Sequence, residues 1–127
     1  MELNEFNYME DDTIYDSHSL FHHEYYIIQD NEKVGEIQLT FEKDFVTIAL
    51  FKIYKEFRGK GYSKILDEVI LDEIKSSKYT PTTLFLTSNP YDDGGLDNNQ
   101  LIKLYEKHFN MEVYFADSTE TLMKKEI

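Results

Sequence analysis

The chain lacks two residue types and has little of two others. Among its 127 residues there is no cysteine and no tryptophan, and there are two prolines and five glycines. Without cysteine the chain forms no disulfide, holds no metal through thiolates and has no thiol nucleophile. This absence fits a reducing compartment, so we expect a cytoplasmic protein. Residues 1–12 are acidic and lack the apolar core of a signal peptide, and no apolar run is long enough for a membrane span.

Positive charge is also scarce. Thirteen Lys and Arg residues stand against 25 Asp and Glu, which gives a net charge of −12. A nucleic-acid-binding surface needs a basic excess, so we expect no nucleic-acid partner; an acidic field favours cationic partners such as amines or basic proteins. Ten tyrosines and nine phenylalanines argue for a folded core, and the length fits a single domain over 1–127.

The basic residues that are present concentrate in 52–64. This segment has five of them and one acidic residue, Glu56, so it is locally positive within an acidic chain. Such a cluster indicates a site for an anion, although a solvated start of a helix with ordinary lysines would have the same composition. The five are Lys52, Lys55, Arg58, Lys60 and Lys64.

Hydrophobic periodicity predicts three strands, a helix, a strand, a second helix and two closing strands. Ile37, Leu39 and Phe41 alternate with polar residues, as in a half-buried strand, and 45–53 is almost continuously apolar, as in a central strand. This order indicates an α/β (α+β) fold with a mixed sheet flanked by helices. The other predicted strands are 24–29, 83–87, 111–115 and 121–125; ahead of them the pattern allows a short strand at Leu3, Phe6 and Tyr8 and a helical turn or two in 13–21.

Two amphipathic helices are predicted. An apolar stripe from Ile65 to Ile74 marks the first, and the second runs over about 98–109. Asn98 or Asn99 would cap the second helix at its start, and Asn110 can take the left-handed conformation that ends a helix.

A glycine turn, with Gly59 and Gly61, joins the buried strand to the first helix. Glycines there leave backbone N–H groups accessible, and the helix that follows adds its unpaired N–H groups and positive dipole end, which together suit a phosphate. Neighbouring basic side chains and the Ser63 hydroxyl would assist. The dinucleotide fingerprint is absent because position 64 is Lys, and the Walker pattern is absent too. The alternative is an ordinary turn into a helix, in which the glycines are required only for steric reasons and bind nothing.

The segment 53–66, with Arg58-Gly59-Lys60-Gly61-Tyr62-Ser63 at its centre, resembles the coenzyme A motif of the GNAT superfamily of N-acetyltransferases. Asn98, followed by Leu104-Tyr105-Glu106-Lys107, resembles that family's second motif. The resemblance covers about residue 24 to the C-terminus. It implies a mixed, mostly antiparallel sheet flanked by helices. Since only about 23 residues precede the first clear strand, it also implies a shortened N-terminal helical region.

The resemblance further implies transfer of an acetyl group from acetyl-coenzyme A to a primary amine by direct attack, without an acyl-enzyme. Tyr105 would be the general acid for the departing thiolate, or it packs on the apolar helix face. Asn98 would contact the cofactor or simply cap its helix. The residues expected to hold the cofactor are Lys52 and Ile53 at the pantetheine arm, Arg58, Gly59, Lys60, Gly61, Tyr62, Ser63 and Lys64 at the pyrophosphate, and Asn98.

The general base is left open by the sequence. Thr47 and Ala49 occupy the strand positions where the family often has a carboxylate, so Glu24, Glu36, His22 and a water chain are the alternatives. His18 and His22 are four residues apart, as zinc ligands on a helix can be, with His23 and Glu24 adjacent. No cysteines accompany them and no helix is assured, so we expect no metal.

The acceptor is expected to be a cationic amine, either a small molecule or a lysine or N-terminus of a basic protein. A short N-terminal region would leave the acceptor side accessible to a protein. A homodimer through the closing edge strands is a further expectation. The alternative from another class is a catalytically silent GNAT-like protein that acts by binding a partner protein.

Overall fold

The computed structural model describes residues 1–11, 20–88 and 96–127, which form a seven-stranded sheet with helices against it. No helix in these ranges is both long and apolar enough to cross a bilayer. The strands are β1 (Glu2–Asp11), β2 (Leu20–Gln29), β3 (Glu32–Glu42), β4 (Phe45–Ile53), β5 (Thr83–Ser88), β6 (Glu112–Ala116) and β7 (Thr121–Glu126). The helical segments are 3₁₀ turns at Lys55–Phe57 and Tyr62–Lys64, a π-helix at Leu66–Ile70, and the α-helices α1 (Leu71–Lys75) and α2 (Asn98–Phe109).

The sheet has the order β1-β2-β3-β4-β5-β7-β6. Strands β1 to β4 form an antiparallel meander, and β7 is antiparallel to both of its neighbours. Strands β4 and β5 are parallel, and in the described residues they pair over four positions, Phe45–Ile48 against Thr83–Leu86. We call this junction the parallel seam. The predicted mixed, mostly antiparallel sheet is confirmed.

Strand β4 has a bulge where the seam ends. Leu39 of β3 faces Ile48, but the preceding residue, Gln38, faces Leu50, so Ala49 is an extra residue on β4. A bulge bends its strand and increases the local twist. β4 therefore changes direction just as its pairing with β5 stops.

The hydrophobic core lies on one face of the sheet. Ile70 and Phe109, from the two helical regions, are fully buried in one cluster with the strand residues Leu39, Leu84 and Met123. The alternate strand residues point to the other side, and no helix in the described part of the chain covers them. We call this side the open face. Its members include His22, Glu24, Thr40, Thr47 and Phe85, which are half-buried.

The first predicted helix is present but irregular. The helical run 62–75 begins as a 3₁₀ turn, widens to a π-helix and ends as α1. Its apolar stripe is buried as predicted, because Ile65, Ile70 and Ile74 are all at most 1% exposed.

The predicted N-cap of α2 is wrong. Asp97 holds the cap: its carboxylate accepts a hydrogen bond from the Gln100 N–H at 2.9 Å, and the Gln100 side chain accepts from the Asp97 N–H at 2.9 Å. This reciprocal capping box satisfies two N–H groups that the helix leaves unpaired. The predicted end is confirmed, since Asn110 has a φ of 50° and its N–H donates to the Tyr105 carbonyl.

The N-terminal part departs from the sequence prediction. β1 spans ten residues, and β2 begins at Leu20, because Leu20 and Phe21 pair with β1 and Phe21 also faces Phe41 of β3. The helical turn predicted for 13–21 is therefore wrong at positions 20 and 21. Its remaining positions lie outside the described residues.

Gly35 on β3 lies close to the main chain of β4. A Cβ at this position would lie 2.2 Å from the Lys52 carbonyl oxygen on β4. We expect Gly35→Ala to destabilise the protein by about 3 kcal/mol, since the clash is with main chain that cannot rotate away. Thermal unfolding measures this. Gly59→Ala is the matched control, because no atom lies within 4 Å of its Cβ position and only the left-handed φ of 78° opposes it. An equal or larger loss in Gly59→Ala would contradict the steric account.

Candidate active site

A cavity of about 260 Å³ lies between the end of β4, the glycine turn and α2. Its walls are largely apolar, and its polar part is at the turn. Helix α2 contributes one wall, and β4 beyond the bulge contributes another. The lining residues are Phe51, Ile53, Phe57, Arg58, Gly59, Gly61, Tyr62, Ser63, Leu96, Leu101, Leu104 and Tyr105.

The glycine turn has the backbone that the sequence predicts. Gly59 and Gly61 have φ values of 78° and 81°, in the left-handed region that other residues rarely adopt. The space above both Cα atoms is clear, with no atom within 4 Å of an added Cβ. Gly61 leads directly into the Tyr62–Lys64 turn, so the first N–H groups of the helical run lie beside the cavity. This arrangement suits an anionic group.

Arg58 ties the turn to the strand before it. Its Nε donates a hydrogen bond of 2.8 Å to the Ile53 carbonyl, at the last residue of β4. The ring centroids of Phe57 and Tyr62 lie 6.4 Å apart across the turn, and the Lys60 Nζ lies 5.5 Å from the centroid of the Phe57 ring. The turn is therefore held by a polar contact and by ring packing.

Tyr105 lies on α2 with its side chain 5% exposed, beside Leu101 and Leu104 in the cavity wall. The start of α2 is fixed to the sheet through Asn98, whose Oδ1 accepts from the Ser88 hydroxyl at 3.1 Å and whose Nδ2 donates to Thr121 Oγ1 at 3.4 Å. Asn98 thus positions the helix on β5 and β7. Its cofactor contact stays a prediction, and its predicted capping role belongs to Asp97.

The structure brings most of the predicted site residues together. Ile53, Arg58, Gly59, Gly61, Tyr62, Ser63 and Tyr105 line the same cavity. Lys52, Lys60, Lys64 and Asn98 are not part of the lining. Five lining residues were not predicted as site residues, namely Phe51, Phe57, Leu96, Leu101 and Leu104. Phe51 and Phe57 flank Ile53 and Arg58, so an apolar arm beside the turn could have suggested them.

The alternatives for the general base differ in their surroundings. Glu36 accepts a hydrogen bond of 2.9 Å from the Tyr54 hydroxyl. The pKa of Tyr54 is raised to about 12, mainly by burial and to a smaller extent by this hydrogen bond. Tyr54 therefore keeps the proton that it donates to Glu36. His22 and Glu24 lie on the open face, with His22 Nε2 3.3 Å from Glu24 Oε1. Within the described ranges, no three His, Asp or Glu side chains converge on a metal site; His18 lies outside those ranges.

No family model and no curated protein sequence matches the chain. Several solved structures are similar to the chain. The N-acetyltransferase PseH of Campylobacter jejuni superposes with a TM-score of 0.60 at 17% identity, over 83% of this chain and 67% of PseH. The PaiA N-acetyltransferase of Thermoplasma acidophilum gives 0.57 at 18% identity, over 85% of this chain and 60% of PaiA.

The chain has the GNAT fold. A third structure is much shorter than these two. The anti-CRISPR protein AcrVA5 superposes with a TM-score of 0.57 at 21% identity, over 80% of this chain and 97% of AcrVA5. The GNAT fold of this chain includes the bulged β4 and the parallel seam.

Proposed function

We propose that the chain transfers an acetyl group from acetyl-coenzyme A to a primary amine. The observation that carries this proposal is the cavity, which joins the glycine turn, the end of β4 and Tyr105 in one continuous space. PseH has been solved with acetyl-coenzyme A and PaiA with coenzyme A, which supports the choice of donor.

The glycine turn would hold the pyrophosphate of the donor. The clear space above Gly59 and Gly61 admits phosphate oxygens close to the backbone, and the start of the helical run offers N–H groups and a positive dipole end. Lys60 and Lys64 are exposed on the same turn and add charge in an otherwise acidic chain. The apolar walls from Phe51 and Leu104 suit the pantetheine arm.

Tyr105 would protonate the departing thiolate. The neutral amine nitrogen attacks the thioester carbonyl carbon, and the carbon–sulfur bond breaks. The sulfur takes the phenolic proton, the nitrogen loses one proton to solvent as the amide forms, and Tyr105 regains a proton from solvent. A phenol ordinarily keeps its proton at neutral pH and can give it up to a thiolate. The burial of Tyr105 in the apolar cavity wall supports this role, because a sheltered side chain competes less with bulk water for the thiolate.

The acceptor would approach from the open face. Both helical regions pack on the opposite face, so a large amine-bearing molecule meets no described helix there. The net charge of −12 favours a cationic acceptor, and the accessible face suits a lysine or N-terminus of a protein.

An acetyl-transfer assay with labelled donor tests the proposal. Small amines, polyamines, and basic proteins with either free or blocked lysines form the acceptor panel. We expect labelled product from a basic protein and loss of that product when its lysines are blocked. Transfer to small amines alone would reject the protein acceptor but keep the enzyme. No transfer to any acceptor would reject the enzyme.

The second candidate is a silent GNAT-fold protein that binds a partner protein. The exposed side chains Val113, Tyr114 and Phe115 on edge strand β6 are 40–47% accessible and offer a contact surface. Calorimetry with acetyl-coenzyme A separates the two candidates, because this one predicts no binding at millimolar donor.

A further inference from the structure

Three polar side chains form a hydrogen-bonded row on the open face. Thr40 Oγ1 lies 2.9 Å from His22 Nδ1, and His22 Nε2 lies 3.3 Å from Glu24 Oε1. In a neutral ring this geometry places the proton on Nε2, which donates to the carboxylate, and leaves Nδ1 to accept the Thr40 O–H. The row therefore runs from the Thr40 hydroxyl on β3 to the His22 imidazole and the Glu24 carboxylate on β2. We call it the polar row.

The polar row points toward the seam. Thr40 is the direct cross-strand partner of Thr47 on β4, and His22 is the partner of Thr40 on the far side. Thr47 is followed by Ile48, the last β4 residue paired with β5. Directly opposite residues on neighbouring strands have Cβ atoms about 5 Å apart. A small molecule or water above Thr47 is thus within reach of the Thr40 hydroxyl.

The surroundings of His22 leave it available to this role. Its side chain is 22% exposed and that of Glu24 is 18% exposed, so both are sheltered but still reached by solvent. On β1, Met9 is the cross-strand partner of His22 and lies in the same cleft. Among the described residues, the charged group that faces the ring is therefore Glu24 on its own strand, with the neutral Thr40 on β3. Glu10 is the partner of Phe21 and lies on the other side of β1 from Met9.

The neighbouring His23 makes its contacts on the other side of the sheet. His23 lies on the core side of the sheet, where Nε2 is 2.8 Å from the Tyr79 hydroxyl and Nδ1 contacts the Glu5 carboxylate. Glu36 is engaged by Tyr54. Of the three side chains left open as bases by the sequence, two belong to the polar row and the third is occupied.

We propose that His22 is the proton acceptor for the acceptor amine, acting through the Thr40 hydroxyl, with Glu24 as a positioning residue. This assignment rests on the proposed function. The ammonium group passes a proton through a water molecule to Thr40 Oγ1, and the Thr40 proton passes to His22 Nδ1. The products of this step are a neutral amine ready to attack and an imidazolium held by Glu24, which later releases its proton to solvent.

The pH dependence of kcat tests the assignment. His22→Gln is expected to lower kcat about a hundredfold near pH 7, the size of effect typical of general base catalysis, with the KM for acetyl-coenzyme A unchanged. The loss should shrink toward pH 10, because a lysine amine with a pKa of about 10.4 then supplies its own neutral form. Thr40→Val should reproduce the effect, and Thr40→Ser should restore activity. His108→Gln, in the last turn of α2, is the matched control and should change nothing.

The outcomes are distinguishable. A wild-type protein that transfers acetyl groups, combined with a His22→Gln loss that stays constant across pH, overturns the assignment alone. So does equal activity of Thr40→Val and wild type. A wild-type protein without transfer to any acceptor overturns the proposed function and this assignment together. Circular dichroism melting of each variant confirms that the comparisons are between folded proteins.

Discussion

Gly61→Glu is expected to abolish measurable binding of acetyl-coenzyme A. The new carboxylate would extend into the clear space above the turn, where the pyrophosphate is expected. Two like charges about 4 Å apart repel by about 4 kcal/mol at a protein surface, which corresponds to roughly a thousandfold rise in Kd. The left-handed φ of 81° adds backbone strain of about 1 kcal/mol. Isothermal titration calorimetry measures the binding, and thermal melting measures the strain.

Gly61→Asn separates charge from conformation. Asparagine tolerates the left-handed region better than other non-glycine residues and carries no charge. We therefore expect Gly61→Asn to melt close to wild type and to keep most of its affinity, within about tenfold. If it loses binding as completely as Gly61→Glu, the requirement at position 61 is steric and the phosphate interpretation of the turn is wrong.

Tyr105→Phe is expected to keep donor binding and to lower kcat about a hundredfold. The ring stays in place among Leu101 and Leu104, so the cavity wall is preserved, but the proton for the thiolate is gone. Calorimetry and steady-state kinetics on the same sample measure the two properties. The expected signature is an unchanged Kd for acetyl-coenzyme A together with the reduced kcat.

Tyr54→Phe is the matched control for this variant. It removes a phenolic hydroxyl that binds Glu36, close to the same turn but outside the cavity lining. We expect its kcat to stay within about twofold of wild type. A Tyr105→Phe protein that loses affinity and turnover in equal measure would instead identify Tyr105 as a packing residue of α2.

The sequence predicted the central structure well because its signals there are local. The continuous apolar run of β4, the two glycines and the stripe of Ile65, Ile70 and Ile74 each specify their own element. The order of strands followed from those elements, whereas the joint site of the glycine turn and Tyr105 was implied by the resemblance to the GNAT motifs. Since the turn and α2 are on opposite sides of β5 in the sequence, their meeting depends on the parallel crossover, which the strand–helix–strand order predicts.

Other features depend on partners that the sequence does not show. Asp97 outcompetes Asn98 as the N-cap because Gln100 lies three residues on and completes a capping box, while Asn98 is occupied by Ser88 and Thr121. The polar row depends on the register of β2 against β3, which pairs His22 with Thr40 across eighteen residues. A shift of one residue between these two strands would place the two side chains on opposite faces of the sheet, so only the register reveals the contact.

The four-position parallel seam also has a consequence for how the protein folds. Strands β1 to β4 follow one another along the chain, so the meander can close through short loops and nearby contacts. β5 can pair with β4 only after the segment between Ile53 and Thr83 has folded back onto the sheet. This contact is distant in sequence and therefore forms more slowly. The cavity is lined from both halves, by β4 and by α2. We therefore expect the binding site to appear among the last contacts of folding, so that a nascent chain ending before α2 is structured but cannot bind its donor.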